Sequence, residues 1–193
     1  MKSLKMFQFL FLFFFLISIS IVSGEDDFIR LSCNSTLYPQ LCYQVLSPYT
    51  QTIQASPSAM ALTALNISLE STKTASHMVL QISKANKLSK REAGAVADCV
   101  ETVEDAVEEL QQSIAAMRDL EGPEFQFKVS NIQTWVSAAL TDDNTCMDGI
   151  DEKEVVALAT SSKKVKRRIR SEIVNVAQLT SVALALVNKL TSA

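Results

Sequence analysis

The chain has 193 residues, 48% of them hydrophobic, with 18 Lys+Arg against 21 Asp+Glu and a formal net charge of −3. That length suits one domain, and the acidic balance excludes a general nucleic-acid binder. The four glycines and four prolines are too few for the turns of a β-sandwich or barrel, and the glycines are too scattered to form a phosphate-cradling loop.

Lys2 and Lys5 precede an apolar run over residues 6–22, broken only by Gln8, Ser18 and Ser20. Val22, Ser23 and Gly24 then offer small or modest side chains at a cut, and Glu25, Asp26 and Asp27 follow at once. The pattern reads as a secretory signal over residues 1–24. The alternative is a membrane anchor, but a run of about 17 residues is at the lower limit of a spanning helix, and acids follow it where a basic stop-transfer cluster would stand. Cleavage removes Lys2 and Lys5 and no acid, which takes the net charge from −3 to −5. Residues 25–193 remain as one domain, with no membrane association expected. Cys33, Cys42, Cys99 and Cys146 are all retained, and an even count in a secreted chain implies two disulfides and no free thiol.

Residues 25–56 hold Cys33, Pro39, Cys42 and Pro48. A short helix, a turn at Pro39 and a second short helix would bring the first two cysteines together. This favours an N-terminal helical hairpin stapled by Cys33–Cys42, although four cysteines allow three pairings. Residues 57–193 then read as four long amphipathic helices. Ser56-Pro57 is an N-cap followed by a residue suited to the first helical position. From there to about residue 85, Leu62, Leu65, Leu69, Thr72, Val79 and Ile82 recur at helical spacing, with a more polar centre. Ser89 and Glu92 have the spacing of a capping box. Val96, Val100, Val103, Val107, Leu110, Ile114 and Met117 follow in alternating steps of four and three, and Gly122-Pro123 is expected to end this second helix. Its other side carries Glu101, Glu104, Asp105, Glu108 and Glu109 with no cation among them. Such acids at i,i+4 repel one another, although a solvated acidic face is the plainer explanation.

The third helix is expected from about residue 128 to 148, on a seam of Val129, Ile132, Val136, Ala139 and Cys146. Asp143 interrupts that seam and should loosen it, and Gly149 should stop the helix. Residues 151–162 read as a polar connection. The fourth helix, about 162–190, is striped by Val165, Ile169, Ile173, Val176, Ala183, Val187 and Leu190. Its first half carries Lys163, Lys164, Lys166, Arg167, Arg168 and Arg170. That run has no interleaved aromatics, so it is a poor nucleic-acid patch; it reads as the basic face of a bundle helix near the acidic second helix. Stripes of this kind bury one another in an up-down-up-down bundle, where a Cys99–Cys146 bridge would lock two antiparallel neighbours.

An enzyme is not supported by the inventory. His77 is the single histidine. With the cysteines paired, no metal site has enough ligands, and nothing implies a cofactor. Glu108 and Glu109 are adjacent and face different ways on a helix, unlike a glycosidase pair across a cleft. Asn34-Ser35-Thr36 and Asn66-Ile67-Ser68 match the glycosylation signal, which makes Asn34 and Asn66 candidate glycan sites.

The sequences Cys33-Asn34-Ser35-Thr36-Leu37-Tyr38-Pro39-Gln40-Leu41-Cys42, Asp98-Cys99, Trp135-Val136-Ser137-Ala138-Ala139-Leu140-Thr141 and Thr145-Cys146-Met147-Asp148-Gly149 together resemble the plant invertase and pectin methylesterase inhibitor family. The resemblance runs through the whole mature chain, and it is the ordered set that is specific. It implies an all-α four-helix bundle behind a helical hairpin, the pairings Cys33–Cys42 and Cys99–Cys146, secretion to the cell wall or vacuole, and no catalytic activity. Invertase inhibitors in the family share a Pro-Lys-Phe element between bundle helices two and three, aimed at invertase carboxylates. Here Gly122-Pro123-Glu124-Phe125 puts an acid in place of the lysine, which like-charge repulsion disfavours.

The stretch from Trp135 to Thr141 looks like the pectin methylesterase branch. There the resemblance implies contact with the esterase beside its pectin cleft through Glu101, Asp105 and Glu108, and through Thr145 and Asp148 flanking Cys146. The expected protein is a secreted, monomeric, apoplastic inhibitor of pectin methylesterase. The alternatives are an inhibitor of acid invertase, or a non-inhibitory wall protein that holds acidic pectin on its basic helix.

Overall fold

A computed structural model of the protein describes residues 24–84, 88–151 and 160–191. The expected leader, apart from Gly24, and most of the connection at 151–162 lie outside them. The described chain is helical throughout. Residues 24–33 form α1, followed by α2 (Pro39–Leu46), a 3-10 turn (Ser47–Tyr49), α3 (Thr50–Ile53), α4 (Pro57–Ser83), α5 (Lys90–Arg118), α6 (Phe125–Asp151), α7 (Thr160–Asn188) and a closing 3-10 turn (Lys189–Thr191). In the bundle α5 packs on α4 and α6, and α7 packs on the same two helices. The helices α5 and α7 are therefore diagonal. This corrects the expectation that the basic helix lies beside the acidic one: in an up-down-up-down square the second and fourth helices never share an edge.

The hairpin folds back at Pro39, which occupies the first turn of α2 where its missing N–H costs nothing. Cys33 is bonded to Cys42 with the Cα atoms 5.5 Å apart, and Thr36 Oγ1 closes the turn by donating to the Cys33 carbonyl at 2.8 Å. Arg30 stacks over the Tyr43 ring at 4.1 Å and donates to its hydroxyl at 2.8 Å. Tyr43 in turn donates to Asp26 at 2.8 Å, which joins α1 to α2 on the outside. Ile29, Leu46 and Ile53 bury the inner side against α4, α6 and α7, and Lys189 Nζ donates to the Ser32 carbonyl at 2.9 Å. Gln54 and Ala55, with φ of 47° and 55°, turn the chain into α4, where Ser56 accepts from the Ala59 N–H.

The α5 start is capped on both sides. Ser89 Oγ accepts from the Glu92 N–H at 3.3 Å, and Glu92 Oε2 accepts from the Ser89 N–H at 2.7 Å. Ser89→Ala should lower the unfolding free energy by about 1 kcal/mol in urea denaturation. An unchanged midpoint would mean that the tertiary contacts of α5 alone hold its first turn.

Two apolar clusters make the core. One joins the hairpin to one end of the bundle through Leu65, Leu110, Ile132, Val136 and Leu186. The other fills the opposite end with Val79, Val96, Cys99, Val103, Cys146, Ile169 and Ile173. On α5 the buried line runs through Val96, Cys99, Val103, Ala106, Leu110 and Met117, while Val100 and Val107 sit half-buried at its edge. Cys99, bridged to Cys146, and Ala106 share the buried line in place of Val100 and Val107.

Two expectations for α6 fail. Asp143 does not loosen the helix, and Gly149 does not end it: α6 is continuous to Asp151. Asp143 is fully buried, on the same line as Ala139, Cys146 and Ile150. A glycine inside a helix costs only about 1 kcal/mol, which the burial of Cys146 and Ile150 on either side offsets. The α5 helix ends at Arg118, ahead of Gly122 and its φ of 84°; Leu120 then turns inward.

Candidate interaction face

Glu101, Asp105 and Glu108 fall at i, i+4 and i+7 on α5, and all three are exposed. Thr145 and Asp148, three apart on α6, are exposed as well. The Cys99–Cys146 bond, with Cα atoms 4.4 Å apart, fixes the two helices side by side. The five candidate contact residues therefore share the outer face of the α5–α6 pair. Thr145 Oγ1 donates to the Thr141 carbonyl at 2.8 Å, which leaves the exposed hydroxyl able to accept a further bond. Among the described residues none of these acids forms an ion pair, so the strip carries uncompensated negative charge.

Beneath the strip lie acids that the sequence did not single out as a group. Glu109 of α5 and Asp142 of α6, both half-buried, are within hydrogen-bonding reach of each other. Burial, then the neighbouring Asp142 and Asp105, push the Glu109 carboxyl up to about 7. Burial also raises Asp142, while the bond from Glu109 opposes the rise. Both carboxyls therefore hold a proton more readily than free ones, Glu109 the more so. Glu109 Oε2 is buried without a hydrogen-bond partner, which disfavours the ionised form.

Asp143 points the other way, into the bundle. Its Oδ2 accepts from Thr180 Oγ1 at 3.3 Å, and Thr180 lies 2.8 Å from Ser68 Oγ. Its Oδ1 is buried without a partner. Burial, with smaller contributions from Asp142 and Glu109, pushes this carboxyl up to about 8. Ser68, Asp143 and Thr180 thus form a polar layer between the two apolar clusters. The signal for Asp143 was its place on the α6 seam, where every other member is apolar. Glu109 and Asp142 depend on the register between two helices, which no single-helix pattern supplies.

His77 is exposed, 3.5 Å from Gln81 Nε2. No group of three metal-ligating side chains occurs among the described residues. Asn34 and Asn66 are exposed, and Asn66 Nδ2 donates to the Leu62 carbonyl at 2.7 Å. Glu124 in the α5–α6 link is exposed.

The model of the family "Plant invertase/pectin methylesterase inhibitor" matches residues 27–186. The chain is 46% identical over 165 residues to pectinesterase inhibitor 10 of Arabidopsis thaliana, an alignment that covers 84% of the chain and 50% of that relative. It is 43% identical over 166 residues to a 21 kDa protein of Daucus carota, across 84% of the chain and 83% of the relative. To pectinesterase inhibitor 9 of Arabidopsis thaliana it is 42% identical over 173 residues, across 86% of the chain and 82% of the relative. The chain thus spans half the length of the first of these and about four-fifths of the other two. In fold it is similar to the crystal structure of a mutant form of a pectin methylesterase inhibitor from Arabidopsis, with a TM-score of 0.58 at 22% identity, covering 81% of this chain and 92% of that one.

Proposed function

The chain belongs to the plant invertase/pectin methylesterase inhibitor family, and from that premise we propose that it is a secreted inhibitor of pectin methylesterase. It has no catalysis of its own and acts as a monomer outside the cell, covering the enzyme's pectin-binding cleft. Neither nucleic acid nor membrane is a partner. The observation that carries this reading is the α5–α6 face: a rigid, disulfide-locked surface with exposed acids that have no cation within the described chain. Glu101, Asp105, Glu108, Thr145 and Asp148 are the contact residues. Exposed charges of this kind set orientation and association rate more than net affinity. The acid at Glu124 weighs against an invertase carboxylate site as the target.

Titration of the purified protein against a plant pectin methylesterase and, separately, an acid invertase tests the assignment. Loss of invertase activity alone would overturn it. A triple change, Glu101→Gln, Asp105→Asn and Glu108→Gln, should leave the helical circular dichroism intact. It should weaken esterase inhibition by ~1 kcal/mol per exposed contact and flatten its salt dependence. Unchanged inhibition in a folded triple variant would move the contact to another face.

Asn66 and Asn34 are the glycan positions in this reading. Ser68, which completes the Asn66 signal, is fully buried against Thr180. A transferase would therefore have to act there before the bundle closes.

A further inference from the structure

The cations of α7 take no part in the α5–α6 face. Lys163, Lys164, Arg167 and Arg168 are exposed, and none is ion-paired among the described residues. Together with Lys166 and Arg170 they cover an arc of roughly 200° at 100° per residue, opposite the buried Ile169 and Ile173. No acid occurs from Val155 to Ser171. Six like charges at i,i+3 and i,i+4 spacing near a helix N-terminus oppose both the neighbour rule and the helix dipole. The run is thus a concentrated positive patch on a chain that is acidic as a whole.

The bundle adds to the arc. Its second apolar cluster gathers Val79 near the end of α4, Val96 near the start of α5, Ile150 near the end of α6 and Ile169 near the start of α7. Lys84, Lys90 and Arg91, all exposed, therefore lie at the same pole as the α7 cations. Among the described residues the acids of that pole are Glu92, engaged in the capping box with Ser89, Asp98, Asp148 and Asp151 on α5 and α6, and the exposed Glu172 on α7, four residues after Arg168. Because α5 and α7 are diagonal, the α7 arc and the acidic strip of Glu101, Asp105 and Glu108 face different sides of the molecule; only the flank at Lys90 and Arg91 shares α5 with the strip.

We propose that the α7 arc, extended by Lys84, Lys90 and Arg91, binds de-esterified pectin, a polyuronate with a carboxylate on each sugar. The choice of polyanion rests on the esterase reading: hydrolysis of pectin methyl esters leaves carboxylates where the enzyme has worked. The inhibitor would then be concentrated on the product of the enzyme it blocks. The arc offers long, mobile cations and no aromatic platform, which suits repeating surface charge and not stacked bases. Binding of this type is weak per contact and strongly salt-dependent.

The test measures retention of the full mature chain on immobilised polygalacturonate, on highly methyl-esterified pectin and on heparin. Polygalacturonate should retain it, the esterified polymer should not, and raising salt from about 50 to about 200 mM should release it. Lys163→Gln, Lys164→Gln, Arg167→Gln and Arg168→Gln together should weaken retention at least ~10-fold while esterase inhibition stays at the wild-type level. The milder pair Lys164→Gln and Arg168→Gln, which removes less charge from the same arc, should give an intermediate loss if the quadruple variant fails to fold. Retention that ignores methyl esterification, equal retention on heparin, or unaltered retention in the folded variants would overturn the proposal. Polygalacturonate binding without esterase inhibition would instead remove the inhibitor reading and leave this surface standing.

Discussion

Replacing Cys99 and Cys146 together by alanine should cost about 4 kcal/mol of stability, the chain-entropy value for a loop of this size. The bridge spans 47 positions of sequence, so its loss frees a long stretch of the unfolded chain. The other bridge spans 9, and the same relation gives it about 2.5–3 kcal/mol. A domain of this size has only about 5–15 kcal/mol in total, so the first loss is a large share. Both cysteines are buried in the apolar cluster of Val96, Val103 and Ile169, which means that alanine leaves little polar debris but some empty volume. Esterase inhibition should fall further than stability requires, because the five proposed contact residues are divided between the two helices the bridge joins. Urea unfolding and inhibition titrations on the double variant check both statements. A stability change under ~1 kcal/mol would mean that the reduced unfolded chain already keeps the α5 and α6 segments close, so that the bridge removes little entropy from it.

Much of this architecture is legible one helix at a time. The capping box at Ser89 and Glu92, the cap at Ser56 and the α6 line of Val129, Ile132 and Val136 are local signals, and each resides where the periodicity puts it. What escapes is anything that depends on a neighbour. Val100 and Val107 look like seam residues, yet Cys99 and Ala106 hold the buried line beside them. Gly149 looks like a stop until Cys146 and Ile150 bury on either side of it. The α7 cations look like natural neighbours of the α5 acids until the square arrangement places the two helices on a diagonal. Within the candidate face, the exposed strip of Glu101, Asp105 and Glu108 follows from i,i+4 spacing together with family resemblance. The carboxyl pair beneath it does not, because Glu109 and Asp142 meet only through the antiparallel register of two different helices.

The stability of the protein should fall as pH rises from 5 to 8, and Asp143→Asn should remove most of that slope. In the unfolded chain this carboxyl titrates near its ordinary value of 3.8, while burial in the fold pushes it up to about 8. Between those values the folded state holds a proton that the unfolded state has released. Stability from this group is therefore complete below about 4 and is lost as pH rises through about 8. The slope in that window is about 1.4 kcal/mol per pH unit, or roughly 3 kcal/mol over two units. Glu109, raised from 4.5 to about 7, acts in the same direction with a smaller contribution because it is partly exposed; its own neighbours are Asp142 and Asp105. Around Asp143 the facing groups are Thr180 of α7, with Ser68 of α4 behind it, and the carboxyls of Asp142 and Glu109. None of them is a cation, so ionisation at high pH would place an unpaired charge between two apolar clusters. Asparagine keeps an acceptor for the Thr180 hydroxyl and stays neutral at every pH. The variant should match the wild type near pH 5 and exceed it near pH 7.5. Thermal unfolding across that range decides the matter: a wild-type melting temperature that rises with pH, or an Asp143→Asn profile parallel to it, would show that the buried carboxyl is ionised in the fold and compensated by a group outside this layer.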